Sequence, residues 1–126
     1  MIKPIMKSEF FLRLPSEDAG PDDAATGQDL LDTLHEHERE CVGLAANMIG
    51  VRKRIICVKD GNRTLLMYNP QILEQVNAYQ TSEGCLSLTG ERPCTRYRRI
   101  KVEYLDENFV HRIKNFSGYT AEIIQH

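Results

Sequence analysis

No stretch of this 126-residue chain approaches the about 18 consecutive apolar residues of a membrane-spanning helix. The opening run, Met1-Ile2-Lys3-Pro4-Ile5-Met6-Lys7, has no long apolar region either, which argues against a secretory signal. Cys41, Cys57, Cys85 and Cys94 form no Cys-x-x-Cys pair and no framework spacing, so they read as reduced thiols in a cytosolic protein. An excess of charge of one sign is lacking: the net charge of −2 implies no polyanionic partner. Repeats, low-complexity tracts and linkers are missing too, and one domain spanning residues 1–126 is expected. What is present, 41% hydrophobic and 27% charged residues, suits a soluble globular domain with one ordinary core. Arg92, Arg96, Arg98, Arg99 and Lys101 make a local basic run. It reads as a solvated strand face, with no direct nucleic-acid contact expected.

Gly20-Pro21-Asp22-Asp23 has the signature of a helix start, with proline in the first turn and acids at the positive end of the dipole. Leu30, Leu31, Leu34 and Cys41 follow at helical spacing, so the helix is expected to end near Glu40. Arg54–Lys59 and Thr64–Tyr68 read as strands joined by a turn at Asp60-Gly61-Asn62. Asn69-Pro70 is expected to end the second of these. Ile72–Tyr79 reads as a separate strand, and Ile100, Val102 and Tyr104 alternate along another. Asp106-Glu107-Asn108 turns, and Phe109–Phe116 returns. Tyr119 and Ile123, like Thr120 and Ile124, lie four apart, which is helical spacing after Ser117-Gly118. The fold class is therefore α+β, with mostly antiparallel sheets around a C-terminal helix.

The chemistry concentrates in Glu83-Gly84-Cys85-Leu86-Ser87-Leu88. A cysteine beside a glycine and an acid is either a metal ligand or a nucleophile. His126 supplies an imidazole. A catalytic zinc or ferrous site takes three protein ligands and one open position, so this pair is one ligand short. A second histidine four residues on, with an acid between, would complete an HExxH pattern on one helix face. The sequence reaches only the first letter of that pattern, and the domain is expected to be cut short there. His35-Glu36-His37-Glu38 is not such a site, because its two histidines diverge on a helix and Arg39 stands where a ligand is needed. His111 reads as a surface residue, Glu122 as a solvent-facing helix acid, and Ser87 has no partners for a serine hydrolase.

Cys41-Val42-Gly43-Leu44-Ala45-Ala46-Asn47-Met48-Ile49-Gly50, the Cys85 segment and Ile123-Ile124-Gln125-His126, in this order, resemble the three signature motifs of the peptide deformylases. The resemblance covers nearly the whole chain. It implies a metal-dependent hydrolase that removes the N-formyl group from the initiating methionine of new polypeptides. It makes Cys85 and His126 metal ligands, with ferrous iron as the metal and zinc as a substitute. The backbone N–H of Leu86 becomes an oxyanion donor. Glu83, Val42, Gly43, Tyr119 and Ile123 become substrate-binding residues, with Val42, Tyr119 and Ile123 as the apolar wall of a methionine pocket. The partner implied is an N-formylmethionyl peptide, near the ribosome, in the cytoplasm and away from membranes.

Two departures stand out. Met48 occupies the catalytic position where the family carries a glutamine donor, and a thioether donates nothing. Losing such a donor typically costs about 2.7–4 kcal/mol of transition-state stabilisation. Asn47, one residue earlier, is the candidate substitute. Cys41 stands where the family usually has glycine. The alternative reading is a non-catalytic deformylase-like module that binds peptides, lacking the general base and third ligand.

Overall fold

Alternating side chains on two neighbouring strands set the architecture. In the computed structural model, which describes residues 1–85, 87 and 90–126, Ile55 and Cys57 belong to one apolar cluster, and Ile56 and Val58 to another. Leu66 and Tyr68 join the first cluster, and Leu65 and Met67 the second. A strand whose successive residues are apolar on both faces must be covered on both.

The elements run α1 (Glu9–Leu12), a 3-10 turn (Pro21–Asp23), α2 (Ala24–Glu36), β1 (Gly43–Ala45), a second 3-10 turn (Ala46–Ile49), β2 (Ile55–Asp60), β3 (Arg63–Gly84), β4 (Glu91–Leu105), β5 (His111–Ser117) and α3 (Gly118–Gln125). Among the described residues the strands form one antiparallel sheet in sequence order, with β1 and β5 at its edges. Helix α2 covers one face, burying Leu30 and Leu34 against Leu44, Ile55, Cys57 and Leu66. Helix α3 covers the other, placing Ala121 and Ile124 among Val58, Met67, Ile100 and Val102. Full burial of such a side chain stabilises by about 1.5–3 kcal/mol. The α+β class, the antiparallel strands and the C-terminal helix are as expected.

Several boundaries differ from the sequence reading. Helix α2 stops at Glu36, not near Glu40. Its apolar stripe ends at Leu34, and 35–40 are all charged or histidine, so another turn would bury nothing. Gly27 is a contact site within α2: a Cβ there would run into the Tyr68 hydroxyl, and its absence lets the helix close on β3.

Asn69-Pro70 does not end its strand. Asn69 takes a left-handed conformation with φ 54°, and the pairing register shifts between Tyr68 and Gln71. Before this bulge β3 pairs with β2, and beyond it with β4 alone. The missing proline N–H falls where the strand changes neighbours. Asn69 is itself anchored, since its side chain exchanges hydrogen bonds with the backbone of Ala19 at 2.7 and 2.9 Å. Beyond Val76, β3 and the first half of β4 form a two-stranded ribbon that carries Glu83 and Gly84 at its tip.

Candidate active site

A cleft of about 950 Å³ opens between β1, the ribbon tip and α3. Val42, Gly43, Met48, Glu83, Cys85, Tyr119, Ile123 and His126 all line it. Every site residue picked from the sequence is therefore in one place, apart from Leu86, which lies outside the described residues. Tyr119 is 64% exposed and stands at the rim.

Two long-range constructions bring the sulfur and the imidazole together. The ribbon delivers Cys85 directly after the Gly84–Glu91 pair. Helix α3 delivers His126, whose N–H donates to the Glu122 carbonyl at 3.0 Å and so completes the last turn. Gln125 fixes that turn to the ribbon. Its amide accepts from the Tyr97 N–H at 2.7 Å and donates to the Tyr97 carbonyl at 2.7 Å. At the other end of α3, the Thr120 hydroxyl donates to Asp60 at 2.9 Å. The neighbouring Cys85 thiol raises the His126 pKa, burial opposes the rise, and Glu83 adds to it.

Glu83 is committed to neighbours on two sides. Arg96 donates to its carboxylate from Nε at 3.0 and 3.2 Å and from Nη2 at 2.7 Å. The His126 ring Nδ1 lies 2.6 Å from the same carboxylate. Burial favours the neutral acid, but Arg96, then His126 and Glu122, outweigh it and hold Glu83 at about 2. The carboxylate thus lines the cleft and also holds the imidazole ring. Glu122 is no solvent-facing acid: it lines the cleft and lies 3.4 Å from the Tyr79 hydroxyl. Burial and the neighbouring Glu83 push its pKa up.

The far wall is β1, an edge strand with β2 on its inner side. Its close approach to α3 depends on Gly43, where a Cβ would strike the Ile123 side chain. The Cys41 thiol donates to the Gly43 carbonyl at 3.0 Å. Burial pushes that thiol's pKa up, so it stays a donor at neutral pH. Met48 turns its sulfur toward the Ala45 N–H at 3.4 Å. Asn47 spends an amide N–H on the Leu12 carbonyl at 3.2 Å, which ties it to α1.

A thiol and an imidazole side by side are a donor pair suited to zinc or ferrous iron. Among the described residues no cluster of three or more potential ligands forms. Arg96, Gln125, Glu122 and Tyr79 were missed as site residues. Arg96 carried no signal of its own, since it lies in a basic run that reads as a solvated strand face.

Comparison with known proteins is consistent with this geometry. The family model for polypeptide deformylase matches residues 6–126. A peptide deformylase of Clostridium beijerinckii is 51% identical over 126 residues, covering 100% of this chain and 93% of that protein. The solved peptide deformylase of Thermotoga maritima superposes with a TM-score of 0.90 at 26% identity, covering 100% of this chain and 88% of that one. A class I type b peptide deformylase from Acinetobacter baumannii, solved with Met-Ala-Ser bound, gives a TM-score of 0.86 at 28% identity, covering 100% and 91%. A sulfur and an imidazole converging in a cleft, on this fold and with these relatives, mark the chain as a member of the polypeptide deformylase family.

Proposed function

We propose that this cleft hydrolyses the formyl group from the N-terminal methionine of new polypeptides, with Cys85 and His126 as two of the metal ligands. The observation that carries the assignment is that Cys85 and His126, brought from the ribbon tip and the end of α3, line one cleft together. Ferrous iron, with zinc as a substitute, matches this donor pair. A bound divalent cation supplies the Lewis acidity that makes water nucleophilic near neutral pH. The overall reaction adds water across the formyl C–N bond and releases formate and a free amine.

The chain's own residues then have separate tasks. Glu83, clamped by Arg96, holds the imidazole ring, and Gln125 fixes the helix end that presents it. Val42, Ile123 and Tyr119 offer an apolar wall to the methionine side chain. The outer edge of β1, including Gly43, takes the peptide backbone by strand addition. The Leu86 N–H is the oxyanion donor. Met48 gives no second donor, since its sulfur is an acceptor facing Ala45. A substrate made at the ribosome places this activity close to it, in the cytoplasm.

The test measures bound metal alongside formate released from a formyl-methionyl peptide by the full protein. One metal per chain with turnover supports the proposal. Peptide binding without formate would instead identify a non-catalytic module.

A further inference from the structure

The main-chain groups on the outer edge of β1 are partly covered by two sulfur side chains. The Val42 carbonyl accepts the Lys59 N–H at 2.8 Å, so it faces β2. Strand alternation then turns the main-chain groups of Leu44 inward and those of Gly43 and Ala45 outward, to the cleft. Two of these outward groups already have partners. The Gly43 carbonyl accepts from the Cys41 thiol at 3.0 Å, and the Ala45 N–H donates to the Met48 sulfur at 3.4 Å. Both side chains line the cleft and are only half-buried, so they sit where an added strand would lie. They are also the two positions at which the first motif departs from its family pattern.

We propose that Cys41 and Met48 are specificity-determining residues that mask the peptide-binding edge of β1. The inference rests on the deformylase reading, in which that edge receives the substrate backbone. Thiol and thioether bonds are weak. An extended peptide can displace them, but only by offering a main-chain donor to Gly43 and an acceptor to Ala45 together. A ligand that offers one alone leaves the other sulfur bond in its way. The mask therefore lowers affinity for every peptide, and lowers it least for a regular extended backbone.

The probe is the tripeptide Met-Ala-Ser, titrated calorimetrically into wild type, Cys41→Ala, Met48→Leu, the double variant and Cys41→Ser, with thermal melts confirming folding. One hydrogen bond removed from competition corresponds to about 2–5-fold in Kd. Each single variant is expected to bind about 2–5-fold tighter, and the double variant by about the product of the two. Cys41→Ser, whose hydroxyl still donates, should bind no tighter than wild type. A folded double variant that binds no tighter than wild type overturns the proposal while leaving the deformylase reading intact. If no protein in the series binds the peptide, the deformylase reading of the cleft fails. The masking is then decided by hydrogen exchange at the Ala45 amide: faster exchange in Met48→Leu than in wild type supports it, and equal exchange overturns it.

Discussion

The two faces of the sheet carry the same kinds of residue and put them to opposite uses. Under α2, Cys57 is fully buried, its thiol 3.7 Å from the Leu30 carbonyl, and burial pushes its pKa up to about 12. On the α3 side, Cys85 lines an open cleft together with His126, whose pKa it raises. Cys57 is packing, because burial outweighs the Leu44 backbone and Lys59, which favour its thiolate. Cys85 is proposed as a metal ligand because it shares the cleft with His126 and with the Glu83 carboxylate that Arg96 clamps. The faces also divide their polar groups unequally. The α2 core is almost wholly apolar, whereas the α3 side ends in the Glu83, Arg96, Glu122 and His126 cluster. One face gives stability, and the other spends part of its packing on a site.

This division can be broken from either side. Leu34→Ala, on the closed face, should lower unfolding free energy by about 2–5 kcal/mol in urea titrations. It should leave metal content per folded chain unchanged. Metal loss in proportion to the destabilisation would mean that the faces are not separable.

Glu83→Gln, on the open face, should do the reverse. It keeps the size of the side chain but removes the charge that orients His126. Metal affinity should fall about 10–100-fold, as for other lost partners of ligating histidines. Competition with a chromophoric chelator reads this directly. Unchanged affinity would show that Arg96 and Glu83 are a structural pair only.

The smallest effect concerns a carboxylate remote from the cleft. Asp106 accepts from Arg112 at 2.9 Å and from the backbone N–H groups of Val110 and Asn108 at 3.0 and 2.9 Å. The Arg112 bond, then the Val110 N–H, hold its pKa below the ordinary aspartate value of 3.8. Its contribution is fully present above that value and is lost as pH falls through the lower folded one. The stability gap between wild type and Asp106→Asn should therefore narrow in acid below 3.8. A gap independent of pH would remove Asp106 as a source of acid sensitivity.

The site was largely legible because its residues are chemically distinctive and sit in three short motifs. Cys85 and His126 could be paired by order and spacing before any fold was known. Their supports could not. Gln125 looks like any helix-terminal amide until Tyr97 is placed beside it. Arg96 sits in a basic run that reads as solvated, and only the ribbon geometry turns it onto Glu83. The long strand β3 was split in reading because Asn69-Pro70 is a sound local stop signal. The stop is overridden because the strand changes neighbours there. Local chemistry predicts elements well, and partner exchange is a tertiary event that no local pattern records.

The most direct test compares two cysteines in one measurement: metal bound per folded chain in Cys85→Ala and Cys57→Ala of the full protein. The account predicts that Cys85→Ala loses its metal and that Cys57→Ala keeps a full complement. A Cys85→Ala protein that retains its metal would contradict it.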